Sequence, residues 1–126
     1  MKILVDSSGW IEYFLNGPNA ERYSGVIKKL QDIVTPSIVI YEVYKIIKRE
    51  INQELALSAV EILQKTHVVD LTLESACEAA DISLDSNLSM GDAIIYAISR
   101  KYNVPLYTSD ADFKKLPKVE YIPTEE

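Results

Sequence analysis

Four carboxylates stand where a fold can turn them toward one another: Asp6, Glu42, Asp92 and Asp110. Asp6 closes the apolar run Ile3-Leu4-Val5 and precedes Ser7-Ser8-Gly9. That pattern reads as a short buried strand opening through a turn into a helix. In an open parallel α/β sheet, chemistry sits beyond the carboxyl ends of the strands, which is where this acid falls. Asp110 likewise follows an apolar segment, within Thr108-Ser109-Asp110-Ala111-Asp112-Phe113. If the two strands are neighbours, their loops converge. Glu42 lies just over a turn into one helical segment and Asp92 in the first turn of another, so both reach the same edge.

Carboxylates gathered at one edge repel, and some take up protons unless a cation is present. Oxygen-only ligands select a hard ion such as Mg²⁺ or Mn²⁺. The candidate ligands are Asp6, Glu42, Asp92 and Asp110, with Asp112 as an accessory. Ser7 and Thr108 are candidate hydroxyls for orienting carboxylates or water. If Ser109 caps the short helix that follows, Asp112 occupies its third position and bonds back to the Ser109 amide. Asp110 then has no local partner and is expected to hold the metal directly, with Asp112 outside it. The sole histidine, His67, precedes a strand and reads as a surface or strand-end residue. Without a Cys/His cluster, zinc is not expected.

Each acid also has an ordinary structural role open to it. Asp6 can cap a helix. Glu42 can pair with Lys45 three residues on. Ser89-Met90-Gly91-Asp92 resembles a capping box with Asp in place of Glu or Gln, and Asp110 suits a turn.

The elements that must position these residues alternate between strand and helix. Strands are expected at 2–5, 33–34, 68–71 and 105–108, with an edge strand at 119–122. Helices are expected at 7–15, 20–31, 37–51, 54–65, from 73 after Thr72, and 89–101. Residues 84–88 form a loop and 109–116 a turn with a short helix. Thr35-Pro36 reads as an N-cap followed by proline at the first helical position. The segment 37–51 is rich in Ile and Val but too long and unbroken for an ordinary strand. As a helix it is apolar nearly all round except for Glu42, Lys45 and Arg49, and such a helix must be covered. It and the next helix form an antiparallel hairpin. The alternation implies βαβ units and a parallel sheet: an α/β fold with a short central parallel sheet of four to five strands flanked by helices.

The chain has 126 residues, 48% of them hydrophobic. That supports one domain, expected over residues 1–122 with a loose tail at 123–126. Glycine and proline are scarce, which argues against disorder. No apolar run approaches a membrane span, and the N-terminal residues do not form a signal peptide. Cys77 is the only cysteine, so no internal disulfide can form and a reducing cytoplasm is expected. It reads as a packing residue. The net charge of −6 comes from 19 acids against 13 Lys and Arg. Setting aside the five candidate ligands leaves 14 against 13, so the site itself accounts for most of it. Lys45, Lys48 and Arg49 near Glu42 can track phosphates in spite of the acidic total, and Arg100, Lys101, Lys114 and Lys115 are further candidates. A solvated helix face explains the same residues.

In these motifs the sequence resembles the PIN-domain ribonucleases, particularly VapC-type toxins of toxin–antitoxin pairs. Ile3-Leu4-Val5-Asp6-Ser7-Ser8 is similar to the family's opening strand, Asp and Ser/Thr pair. Glu42 falls where its helical Glu is expected. Gly91-Asp92-Ala93-Ile94-Ile95-Tyr96-Ala97 resembles its helix-borne Asp, and Thr108-Ser109-Asp110-Ala111-Asp112-Phe113 its closing motif. The resemblance spans nearly the whole chain, and no acid of the family pattern is missing. It implies a PIN-like fold and Mg²⁺- or Mn²⁺-dependent endonucleolytic cleavage of RNA. It also implies an antitoxin partner and, with the apolar surplus between residues 38 and 47, a homodimer. Two rivals stand beside it. One is a non-catalytic interaction protein using the same groove. The other is an Asp-dependent phosphoryl-transfer domain, which would ordinarily need a second acid near the first strand and a lysine after a later one.

Overall fold

The computed structural model describes residues 2–124. Its centre is β1 (Ile3–Val5), where Leu4 and Val5 are both fully buried. Consecutive buried residues on a strand mean that both faces are covered, as in a parallel sheet between helices. The chain continues through α1 (Ser7–Phe14), α2 (Ala20–Val26), β2 (Ile33–Pro36), α3 (Ser37–Glu50), α4 (Gln53–Leu63) and β3 (His67–Val69). It ends with α5 (Leu73–Ser86), α6 (Met90–Lys101), β4 (Leu106–Thr108) and β5 (Val119–Tyr121). Among the described residues the strands form one five-stranded sheet in the order β3-β2-β1-β4-β5. Every pairing is parallel, with Leu4 opposite both Val34 and Leu106.

This order creates the site. From β1 the chain winds outward to β2 and β3, then returns to lay β4 on the other side of β1. The crevice between β1 and β4 is therefore the point where strand order reverses. Asp6 follows β1 and Ser109-Asp110 follow β4. The loops are stitched together where they leave the sheet, the Asp6 amide donating to the Tyr107 carbonyl at 2.9 Å.

Several boundaries differ from the sequence reading. The second helix stops at Val26 instead of residue 31. Ile27 turns into the core with non-helical backbone (φ −87°, ψ 82°), and only a 3-10 turn, Leu30–Asp32, follows. Gly25 makes that last turn of α2 a weak place to continue. Thr35 and Pro36 belong to β2. Pro36, with extended backbone, holds the N-cap position of α3 instead of its first helical one. The loop expected at 84–88 is shortened, because α5 runs to Ser86 and ends on Asn87 in the left-handed region (φ 56°), a common helix terminator. Cys77 is exposed: α5 buries Ser75 and Ala79, four residues apart, and Cys77 falls between them on the other side.

Helix α3 is also not covered all round. It buries a single stripe, Val39, Val43 and Ile47, against α4 and the core, while Tyr41 is 58% exposed. The longest unbroken buried run of a helix among the described residues is in α6, whose residues 93–99 are all buried. Of the expected loose tail, Pro123 is held, its carbonyl accepting from Asn19 Nδ2 at 2.8 Å. Residues 125–126 lie outside the described residues.

Candidate metal centre

Asp6 sits at the N-cap position of α1, yet its side chain makes no capping bond to the helix. It is 2% exposed, and its carboxylate is held from the side. Oδ2 accepts from Ser8 Oγ at 2.9 Å and from Thr108 Oγ1 at 2.8 Å, while Ser7 Oγ stands 3.4 Å from Oδ1. Each of the two closer hydroxyls is itself fixed by a backbone amide. The Ser109 N–H donates to Ser8 Oγ at 3.0 Å and the Asp110 N–H to Thr108 Oγ1 at 2.9 Å. Two amides of the β4 loop thus act through two hydroxyls on one carboxylate oxygen. Burial raises the Asp6 pKa, the Thr108 and Ser8 hydroxyls oppose the rise, and the charge of Asp110 adds to it.

Glu42 approaches from α3. Lys45 does not pair with it; the lysine Nζ reaches the Tyr41 hydroxyl at 3.3 Å instead. Glu42 Oε1 is buried and has no hydrogen-bond partner among the described residues. Gly91 gives the other oxygen room, since a Cβ there would lie 3.0 Å from Oε2. Burial pushes the Glu42 carboxyl up, the Ser7 hydroxyl opposes the rise, and the charges of Asp6 and Asp110 add to it.

Asp92 enters from the first turn of α6. The Ser89 hydroxyl accepts from its amide at 3.4 Å, so the cap is made through the backbone. Its carboxyl is pushed up to about 7, first by burial and then by Asp110, Asp6 and Glu42. Carboxylate oxygens of Asp92, Asp110 and Asp112 lie within 4.8 Å of one another.

The Ser109 cap does not form. Asp110 itself caps the 3-10 turn Ala111–Phe113, accepting the Asp112 amide at 2.9 Å. The turn starts one residue later than a Ser109 cap would require, and Ser109 turns instead to the Tyr23 hydroxyl, 2.8 Å away. Asp110 therefore does have a local partner, and the exposed Asp112 carboxylate lies near those of Asp92 and Asp110.

The structure thus brings Asp6, Glu42, Asp92, Asp110 and Asp112 to one edge, with Ser7 and Thr108 beside Asp6. Lys45 and Lys48 lie over the rings of Tyr41 and Tyr44, each 5.4 Å from the centroid, and Arg49 pairs with Glu50 at 2.9 Å. Sequence reasoning missed Ser8, although it stands beside Ser7. It also missed Tyr23 and Ser109, whose contact spans 86 positions and leaves no local signal. All donors are oxygens, several are crowded and shielded, and one buried oxygen is unpaired. A hard divalent cation satisfies that combination.

The raised Asp92 pKa has a direction for stability. Folded Asp92 holds its proton up to about pH 7, whereas the unfolded residue releases it near 3.8. Its contribution is full below the unfolded value and is lost as pH rises through the folded one. Metal-free protein is expected to melt at lower temperature as pH rises from about 5 to about 8, and Asp92→Asn to flatten that slope. Melting curves in EDTA check this; a transition that rises with pH over the same range contradicts it.

A parallel sheet with acids gathered at its topological switch point is the arrangement of an α/β domain whose chemistry sits beyond the carboxyl ends of its strands. The family model for the PIN domain matches residues 3–119, and the chain belongs to that family. Solved structures agree in fold. A toxin–antitoxin complex from Klebsiella pneumoniae matches at 19% identity and TM-score 0.81, over 96% of this chain and 100% of that one. VapC20 of Mycobacterium tuberculosis, described as a sarcin–ricin-loop-cleaving toxin, matches at 22% identity and TM-score 0.82, over 97% and 100%. VapBC2 from Rickettsia felis, bound to a promoter DNA fragment, matches at 16% and 0.77, over 99% and 100%. A sequence comparison with curated proteins finds no match. Among the described residues no helix is long and apolar enough to cross a membrane.

Proposed function

We propose that this chain is a Mg²⁺- or Mn²⁺-dependent endoribonuclease and the cytoplasmic toxin of a toxin–antitoxin pair. The observation that carries the reading is the buried, unpaired Oε1 of Glu42 beside carboxyls whose pKa values are raised by burial and by one another. Such a cluster is costly unless a cation neutralises it. Asp6, Glu42, Asp92 and Asp110 would hold the ion, with Asp112 as an accessory. A bound Mg²⁺ or Mn²⁺ supplies Lewis acidity, which activates water and stabilises charge on the phosphate and leaving oxygen.

The protein's own part is orientation. Ser8 and Thr108 fix Asp6, the 3-10 turn fixes Asp110, and the Ser89 cap sets the start of α6. Lys45 lies about one turn beyond Glu42, and Lys48 and Arg49 about 9 to 10.5 Å along the helix axis; they would follow the RNA backbone. The descriptions of one structural neighbour as a toxin–antitoxin complex and of another as a sarcin–ricin-loop-cleaving toxin support the choice of partner and of substrate.

Metal withdrawal is the test. Purified protein is expected to cut RNA with Mg²⁺ or Mn²⁺, to stop in excess EDTA and to recover on adding metal back. Intact RNA under all three conditions, with the folded protein still binding a partner, would favour an interaction protein.

The toxin reading extends to a homodimer. Tyr41 and Leu71 are exposed beside Ile38 and Pro36, where a groove of about 250 Å³ continues to Ile94 and Ile98. Light scattering at micromolar concentration is expected to report a dimer; a monomer alone contradicts it.

A further inference from the structure

Tyr23 has no part in the motifs that mark the site, yet it reaches it. It is fully buried in α2, and its ring lies against α1 at Gly9. A Cβ on Gly9 would collide with the Tyr23 ring and with the Val5 side chain. The missing side chain therefore lets the ring pass α1 and present its hydroxyl beyond it. That hydroxyl meets Ser109 Oγ at 2.8 Å. The Ser109 amide then donates to Ser8 Oγ, which stands 2.9 Å from Asp6 Oδ2.

We infer that Tyr23 is a positioning residue for Asp6, its hydroxyl anchoring Ser109 so that the Ser109 amide keeps the Ser8 proton aimed at Asp6 Oδ2. A serine hydroxyl has one proton and can rotate. Left alone, the Ser8 proton has two acceptors in reach, Asp6 Oδ2 and Thr108 Oγ1, the latter at 3.3 Å. An amide donating into the Ser8 lone pairs turns the proton away from itself and toward the carboxylate. Oδ2 is engaged by both Ser8 and Thr108, whereas among the side chains Oδ1 has only the longer contact from Ser7. The Tyr23 phenol is pushed up to about 12, chiefly by burial, so it stays protonated at any working pH. Either hydroxyl can therefore donate in the Tyr23–Ser109 bond. Thr108 is fixed separately by the Asp110 amide, so Tyr23 governs the Ser8 half of the grip alone.

The inference rests on the metal-site reading for its consequence but not for its geometry, and two measurements separate them. Tyr23→Phe removes the hydroxyl and keeps the ring. In metal-free protein, amide exchange by NMR is expected to speed up about 10-fold or more at Ser109 and to stay unchanged at Ile98 in α6. In calorimetric titration with Mn²⁺ alone, well below the melting temperature, Tyr23→Phe is expected to weaken binding about 10-fold, as changes behind a ligand do. Ser109→Ala should do the same. The double variant should be no worse than the weaker single one, because the two groups act as one link.

Unchanged exchange at Ser109 overturns the inference, with or without metal binding. So does equal acceleration at Ile98, which would make Tyr23 a packing residue only. Unaltered Mn²⁺ affinity in Tyr23→Phe, where the parent protein binds the ion, also overturns it. A parent protein that binds no Mn²⁺ rejects the metal reading, and the Ser109 exchange rate then decides the anchoring by itself.

Discussion

Asp6→Asn is expected to abolish metal-dependent RNA cleavage while leaving the chain folded. Asparagine keeps the shape, and its side-chain oxygen can still accept from Ser8 and Thr108, which hold Asp6 at 2.9 and 2.8 Å. What disappears is the negative charge. A metal supplies several kcal/mol of charge stabilisation in the transition state, and about 1.4 kcal/mol is a factor of ten in rate. A loss of at least about 1000-fold is therefore expected. Stability should move the other way. The Asp6 carboxyl has a pKa raised by burial and by the charge of Asp110, so neutralising it removes a cost the metal-free protein bears. Melting in EDTA at pH 8 should be unchanged or higher than for the parent. Undiminished cleavage by a clean Asp6→Asn preparation would show that another group, or a contaminant, cuts the RNA.

Asp110→Asn is expected to eliminate cleavage and weaken Mn²⁺ binding, with a smaller loss for Asp112→Asn of about 10–100-fold. The difference rests on burial and on the turn, not on a cap at Ser109. Asp110 is half-buried and already tied by Oδ1 to the Asp112 amide, which sets its carboxylate in place. Asparagine caps as well as aspartate, so Asp110→Asn preserves the turn and tests the charge alone. Asp112 is exposed, and water can take over much of its role. At saturating Mn²⁺, an equal loss from both, or a larger one at Asp112, would reverse the assignment.

The parts of this site that lie on short segments are legible in the amino-acid sequence alone. An apolar triplet ending in an acid marks the strand end at Asp6. Ser89 before Asp92 marks the first turn of α6, where the cap does form. The order of the strands is not legible, because hydrophobic runs do not say which neighbour they choose. Adjacency of β1 and β4 is what turns separate acids into a cluster. Boundaries shift where tertiary contacts outweigh local preference, as at Ile27, which leaves its helix to enter the core. The apolar composition of α3 suggests a helix covered all round. Its periodicity buries Val39, Val43 and Ile47 and leaves Tyr41 outside. Tyr23 is illegible for a different reason: a tyrosine in a polar helix has no signature until the loop it holds is placed beside it.

Whether these carboxylates hold a divalent ion is tested most directly by Mn²⁺ diffused into crystals. Anomalous scattering is expected to place an ion within about 2.0–2.4 Å of carboxylate oxygens at this edge, with Asp6 and Asp110 among its ligands. An edge that stays empty at millimolar Mn²⁺ while RNA is still cut, or an ion bound elsewhere on the domain, would contradict it.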